Sequence, residues 1–178
     1  MRSRPVAGDM IFMTIVADEI HKIISKKRDA TKITHDVAEM RALIAQEKGD
    51  RDPWDLKLAR GGLMDIEFIA QTLVLIHAHA SKSMQQHNTA AILMAARDLG
   101  LVDPDEAHCL LEGYALMRDL MQWQRAMVSG EFEPSKADRS FLKRLANMVG
   151  LPDFRLLDLH LREVQEKVHK IFEAKILP

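Results

Sequence analysis

The chain has 178 residues, of which 47% are hydrophobic and 29% charged, a balance typical of a soluble globular protein and not of a disordered one. A net charge of −1 and a pI near 6.7 give no overall indication of a nucleic-acid partner or an acidic membrane surface. No apolar run reaches the roughly 18 residues of a membrane span. Because the single cysteine, Cys109, cannot form an internal disulfide, we predict a cytoplasmic protein.

The opening MRSRPVAGD is basic and precedes a short apolar run, as a signal peptide would. Asp9 interrupts it, however, and Asp18 and Glu19 follow the run without a small-residue cleavage site. This pattern excludes a signal peptide. It favours a chain that continues from a longer protein.

Apolar residues recur at helical spacing along the whole chain, and strand-like alternation is scarce, so we predict an all-α bundle of about seven helices. Asp9 and Asp103 are the expected N-caps of two of them, and Asp103 with Pro104 and Glu106 has the pattern of a capping box. The predicted helices span 9–28, a short polar segment from Thr34 or His35, 62–81, 88–99, 103–129, 141–149 and 153–175.

Three of these helices have a clear apolar stripe that is expected to face the core. The expected inward residues are Ile11, Ile15, Ile20, Ile23 and Ile24 in the first helix, Val37, Met40 and Ile44 in the second, and Leu156, Leu157, Leu161, Val164, Val168 and Ile171 in the last.

The third helix is apolar on every side, which places it at the centre of the bundle. It nevertheless begins with Asp65 and Glu67, and Gln71 follows one turn later. Glu67 and Gln71 share a face at a spacing of four, whereas Asp65 points elsewhere. We expect these charges to lie at the N-terminal mouth of the helix, where the core need not bury them.

Two interpretations of this charged mouth remain open. Acidic side chains in a first turn interact favourably with the helix dipole, and the preceding Gly61 and Gly62 fit a tight turn. A functional cluster is the alternative, because Glu67 among apolar neighbours needs a cation or a donor. The cations nearest in sequence are Lys57, Arg60 and Arg41.

The segment DLKLARGGLMDIEFIAQTLVL, 55–75, resembles the signature of glutamine synthetase adenylyltransferases. RPVAGD at 4–9 resembles the exit from the nucleotidyltransferase domain of that family, and AEMRALI at 38–44 and the stretch 88–127 resemble the helices around the signature. The residues that match the signature are Asp55, Lys57, Gly61, Gly62, Asp65, Ile66, Glu67, Phe68 and Gln71.

The resemblance implies a two-headed enzyme in which each nucleotidyltransferase domain is followed by a helical domain. One head transfers AMP from ATP to a tyrosine of glutamine synthetase, and the other removes it by phosphorolysis; this signature resembles the adenylylating, C-terminal half. The implied cofactors are ATP and Mg²⁺ in the parent enzyme, none of them bound to this chain. The implied partners are the upstream nucleotidyltransferase domain, glutamine synthetase and a PII-type signalling protein.

We expect this chain to be one helical domain, 1–178. Residues 1–8 would be the exit from the missing upstream nucleotidyltransferase domain. Residues 9–130 would form the core bundle, and 131–178 the C-terminal helices. No catalytic residue or metal ligand is expected in it. The Asp-x-Asp pair that follows Gly100, Asp103 and Asp105, lacks the serine of a nucleotidyltransferase Gly-Ser turn, contains Pro104, and is explained by helix capping.

We expect the signature residues to support the nucleotide site of the missing domain. Lys57 and Arg60 would face phosphates or the metal site of the missing domain, and the Gly62 turn would present backbone N–H groups to an anion. Asp65 and Glu67 would orient the two cations or bond across the domain seam. The alternative is a helical interaction module that binds a PII-type regulator or glutamine synthetase without any part in the chemistry.

Three other features have simpler explanations. His77 and His79 are two apart on a helix and point in opposite directions, so they cannot share a metal ion. Cys109 lies in an apolar run and is expected to be a small buried residue. The basic run 25–32 fits a solvated helix end.

Overall fold

The computed structural model describes residues 3–128, 130 and 132–177, and these contain helices and no strand. The all-α prediction is therefore confirmed. No helix in the described part of the chain is long and apolar enough to cross a membrane. The α-helices are α1 (Met10–Ile24), α2 (Ala30–Lys48), α3 (Leu63–His77), α4 (Thr89–Asp98), α5 (Pro104–Met127), α6 (Arg139–Met148) and α7 (Phe154–Ile176), with short 3₁₀ turns at Lys82–Met84 and Pro134–Lys136.

Helix α3 occupies the centre of the bundle, as its uniformly apolar sequence predicts. It packs against α2, α4, α5 and α7, and Ile66 and Ile69 on it are fully buried. Helix α7 is the second central element, because it contacts α2, α3, α5 and α6. The start of α3 therefore lies close to both α2 and α7, and these two helices surround the signature.

Side-chain caps fix most helix starts. Asp9, Asn88 and Asp153 accept backbone N–H groups in the first turns of α1, α4 and α7, and Asp103 with Glu106 forms the predicted capping box of α5. Capping accounts for the DPDE segment, as predicted.

Three helix boundaries differ from the prediction by about four residues. Helix α1 ends at Ile24, before the predicted residue 28, and the N–H of Ser25 donates to the carbonyl of His21. Helix α2 begins at Ala30, before the predicted Thr34 or His35, because Asp29 accepts the N–H of Lys32 and starts a helix in a polar stretch without apolar spacing. Helix α3 ends at His77, before the predicted residue 81, and the following N–H groups of Ala80 and Ser81 return to the His77 carbonyl. The predicted end of α5, at Ser129, lies outside the described residues.

The predicted core positions are confirmed in α7 and largely wrong in α1. Leu157, Leu161, Val164, Val168 and Ile171 are buried, and Leu156 is partly buried. In α1 only Ile24 is buried and Ile20 packs against the core, whereas Ile11, Ile15 and Ile23 are exposed. Met40 of α2 is also exposed, although Val37 packs on the core and Ile44 is partly buried. Helical spacing identifies the apolar face of a helix but not what covers it.

Candidate functional site

The candidate site is the signature turn, residues 55–62, together with the first two turns of α3. Asp55 builds the turn: its carboxylate accepts the N–H groups of Lys57 and Leu58 at 3.3 and 3.0 Å. Its carbonyl accepts those of Leu58 and Ala59. An aspartate that bonds to the backbone two and three residues ahead is a turn-forming residue. The exposed Asp55 therefore shapes the segment that carries Lys57.

The turn folds back along the start of α3 and caps it with carbonyl groups. Leu63 donates to the Leu56 carbonyl at 2.9 Å, and Met64 donates to the Lys57 carbonyl at 3.1 Å. Every backbone N–H from 61 to 66 donates within the chain. The expectation that the Gly62 turn offers N–H groups to an anion is therefore wrong, because the turn itself consumes the donors that a helix start normally leaves open.

Asp65 is the buried centre of the site, with only 1% of its surface exposed. One carboxylate oxygen accepts from Nε of Arg41 at 2.5 Å, and the other accepts the N–H of Gly61 at 2.6 Å. Arg41 itself is 7% exposed and donates to the carbonyls of Leu58 and Ala59. We expected the charges to avoid the core, and for Asp65 this was wrong. The core admits it because the pair is charge-matched and hydrogen-bonded on both sides.

Of the three cations considered as partners of Glu67, Arg41 pairs with Asp65. Arg60 instead lies 3.4 Å from Asp50, whose carboxylate is also 4.0 Å from Arg41. Arg41 thus links α2, the signature turn and α3, whereas Arg60 stays 63% exposed at the rim.

Gly61 marks the contact between the turn and α7. Its φ is +69°, and a β-carbon placed on it would lie 1.8 Å from the backbone oxygen of Gln165. Gln165 is 5% exposed, and its amide donates to the Pro53 carbonyl at 2.8 Å. The glycine therefore allows the signature turn to rest directly on the backbone of α7.

Sequence reasoning missed two residues that hold this region in place, Trp54 and Gln165. The indole N–H of Trp54 donates to Asp158 of α7 at 2.7 Å, and its ring stacks on Phe154 at 5.0 Å. The signal that could have found Trp54 is a large aromatic residue inside an otherwise polar, turn-rich segment. Gln165 carries no comparable signal, because its partner is 112 residues away.

The remaining signature residues lie nearer the surface. Glu67 and Gln71 are half-buried on α3, consistent with their shared face. Lys57 is exposed, and among the described residues its ammonium has no carboxylate within salt-bridge distance. It lines a cleft of about 710 Å³ between the signature turn and the end of α5, which is also lined by the cations Lys48 and Arg125 and by the carboxylates of Asp52, Asp55 and Glu133. The site thus combines a buried anchor with an exposed edge of mixed charge, on which Lys57 lies.

The other predicted features lie outside this site. His79 is exposed, and burial lowers the pKa of His77 below its usual value, with the neighbouring His79 adding to the effect. The described residues contain no group of three or more acidic, histidine or cysteine side chains placed to hold a metal ion. In the basic run, Arg28 donates to carbonyls at the end of α1 and so finishes that helix.

Cys109 is half-buried on α5, less enclosed than expected. Burial raises the pKa of its thiol above the usual value, and Lys167 offsets part of the rise. We expect the folded thiol to react several-fold more slowly with a disulfide reagent at pH 8 than in the guanidinium-unfolded chain, because the thiolate is the nucleophile. Stopped-flow measurement of thiol release checks this, and equal rates in both states would contradict it.

Comparison with known proteins identifies the family of the chain. The family model described as GlnD PII-uridylyltransferase matches residues 38–176, which include α2 from residue 38 onward, the signature turn and α3 to α7. The match extends through α6 and α7, where sequence alone showed little resemblance.

Curated relatives match almost the entire chain. Three of them are named bifunctional glutamine synthetase adenylyltransferase/adenylyl-removing enzyme and are each 39% identical to it. The protein of Bradyrhizobium diazoefficiens aligns over 97% of this chain, that of Rhodopseudomonas palustris strain CGA009 over 98%, and that of Xanthobacter autotrophicus over 97%. The chain spans only 17% or 18% of the length of these relatives. It belongs to the family defined by the GlnD PII-uridylyltransferase model, and it is similar to a helical part of the glutamine synthetase adenylyltransferases.

Proposed function

We propose that this chain is a single helical domain of a longer enzyme, and that it supports the nucleotidyl-transfer site of a separate nucleotidyltransferase domain. The protein substrate would be glutamine synthetase, and the half in question the adenylylating one, which this signature resembles. A PII-type signalling protein would act as a regulator. Similarity to the adenylyltransferases over nearly the whole chain supports this assignment.

The observation that carries the proposal is that the signature residues fall into two groups, one buried and one exposed. Gly61, Gly62 and Asp65 are buried and fix the turn, whereas Lys57 and Arg60 are exposed on it. A buried ion pair is costly to build, and a rigid turn that presents two cations is a suitable support for phosphate groups. Arg60 is paired with Asp50 at the rim, so Lys57 is the charge whose exposure on an anchored turn structural need alone does not explain.

In the proposed reaction, the tyrosine oxygen of glutamine synthetase forms a bond to the α-phosphorus of ATP. The bond from that phosphorus to the oxygen bridging to the β-phosphate breaks, pyrophosphate leaves, and the tyrosine proton is released. Lys57 and Arg60 would bind phosphate oxygens and stabilise the charge that gathers on the leaving group. Glu67 and Gln71 would bond across the seam between the two domains.

Mg²⁺ would neutralise phosphate charge in this reaction. The described residues of this chain do not fit a magnesium site, since no set of three potential ligands converges in them. The metal ligands would therefore belong to the nucleotidyltransferase domain, and the role of this chain is confined to its cations and to the turn that places them.

The test is Lys57→Ala in the longer protein, assayed for adenylylation and for phosphorolytic deadenylylation of glutamine synthetase. We expect the adenylylation rate to fall about 10- to 100-fold, as for the loss of one positioned charge in nucleotidyl transfer, with stability unchanged because Lys57 is exposed. Lys82→Ala, which changes an exposed lysine in the 3₁₀ turn far along the chain, is the matched control.

Glu67→Gln provides a second test, of the seam. We expect a lower adenylylation rate with an unchanged unfolding midpoint; wild-type rates for both variants would contradict the supporting role. If those rates are normal and this chain binds purified glutamine synthetase or PII-type protein, the interaction-module alternative is favoured instead.

A further inference from the structure

Helix α1 has an apolar face that nothing in the described chain covers. Met10, Ile11, Phe12 and Ile15 are 79%, 74%, 64% and 54% exposed, and Val6 just before them is 78% exposed. Single exposed apolar residues are ordinary, but four within six residues of one helix form a patch of the kind that marks an interaction site. We call these four residues the α1 patch.

The patch belongs to a helix that is attached to the bundle at one end only. Ile24 at the C-terminal end of α1 is buried, Ile20 packs on the core, and the hydroxyl of Ser25 accepts a hydrogen bond from Gln85. The N-terminal half of α1 contributes no buried residue. Hence the core of the bundle does not need the α1 patch.

The exposed side of α1 is apolar in its N-terminal half and charged in its C-terminal half. At about 100° per residue, Ile11 and Ile15 fall on the same side as Asp18 and Lys22, which are one or two turns later and also exposed. The helix is therefore an ordinary amphipathic surface helix near the bundle and an apolar one away from it. This gradient fits a neighbour that covers only the N-terminal half.

The comparisons show that α1 is shared with much longer proteins. The curated relatives align over 97% or 98% of the chain and so include α1, while the chain spans only 17% or 18% of their length. The family match begins within α2, at residue 38, and leaves α1 outside. A segment with this distribution fits a connector that packs on a part of the long protein beyond the matched residues.

We propose that the α1 patch docks onto an apolar surface of the nucleotidyltransferase domain within the same polypeptide. A neighbour in the same polypeptide has a high effective concentration and outcompetes a second copy of the chain for an apolar face. The inference rests on the proposed function only in naming the domain that is docked. It assigns to α1 the task of fixing that domain relative to the signature turn.

The experiment compares this chain with a form extended to include the nucleotidyltransferase domain, using hydrogen exchange of the α1 amides. We expect exchange at residues 11–16 to slow by at least about tenfold in the extended form. Ile15→Glu should abolish this protection in the extended form and leave the melting temperature of the short chain unchanged.

Leu159→Glu is the matched control, since Leu159 is 53% exposed on α7 and Ile15 is 54% exposed. It should leave the protection of α1 intact. Equal exchange in the two forms would overturn the inference, and so would a dimer of the extended form in sedimentation that Ile15→Glu dissociates, because the patch would then be a self-association surface even with the nucleotidyltransferase domain present. Protection of α1 together with normal adenylylation by Lys57→Ala would refute the proposed function and leave this inference standing.

Discussion

Arg41→Met is expected to lower the free energy of unfolding by about 3–5 kcal/mol, the cost of breaking a buried ion pair from one side. Methionine keeps much of the apolar stem of arginine, so the loss is mainly one of charge and hydrogen bonds. Asp65, 1% exposed, would keep only the N–H of Gly61 as a partner. Urea denaturation followed by circular dichroism measures the change.

Two further variants separate this effect from a general loss of charge. Arg97→Met removes a guanidinium that is 44% exposed and paired with Asp98, and it should change stability by no more than about 0.5 kcal/mol. The double change Arg41→Met with Asp65→Leu should recover part of the loss, because no unpaired charge is left in the core. A double variant as unstable as the sum of the single changes would show that the two residues are not coupled.

This ion pair also changes the interpretation of the acidic helix start. The sequence raised two possibilities, helix-dipole chemistry and a functional cluster, and for Asp65 the structure shows a third, a buried ion pair with a cation of α2. Asp65 holds α2, the signature turn and α3 together through Arg41. Glu67 is half-buried on α3, and its place at the seam between the two domains is a proposal.

What could be predicted from the sequence was local. Caps such as Asp9 and Asp103 act within three residues of themselves, and helical spacing is a property of one segment, so the helices and the central place of α3 followed from short-range patterns. The sequence offers Arg41, Lys57 and Arg60 as cations for Glu67, and nothing local indicates that Arg41 pairs with Asp65. The packing of α2 on α3 determines which of the three cations meets Asp65.

What could not be predicted depends on contacts between distant segments. Gly61 could be assigned to a turn, but its close approach to the Gln165 backbone arises from the position of α7. The exposed residues of α1 were assigned to the core for a related reason. An apolar stripe indicates that a surface is covered, but not which part of the protein covers it. The free donors expected at the Gly62 turn are used by carbonyls of the preceding residues, a detail of backbone path that residue types do not encode.

Gly61→Ala is expected to destabilise the protein by about 2–5 kcal/mol, through two separable effects. A left-handed backbone conformation costs an alanine about 1–2 kcal/mol, and overpacking against the Gln165 carbonyl adds about 1–3 kcal/mol. The added β-carbon would stand 1.8 Å from that oxygen, and both groups are held by backbone, so either the signature turn or α7 must move.

Gly100→Ala isolates the first effect, because Gly100 has the same φ of +69° and its β-carbon would meet nothing within 4 Å. Urea denaturation should therefore show a loss for Gly61→Ala larger than that for Gly100→Ala by about 1–3 kcal/mol, the overpacking cost alone. Because the displaced turn carries Lys57, adenylylation by the longer protein should also fall for Gly61→Ala and not for Gly100→Ala. Equal losses of stability would mean that the turn does not rest on α7, and the support assigned to the signature would lose its structural basis.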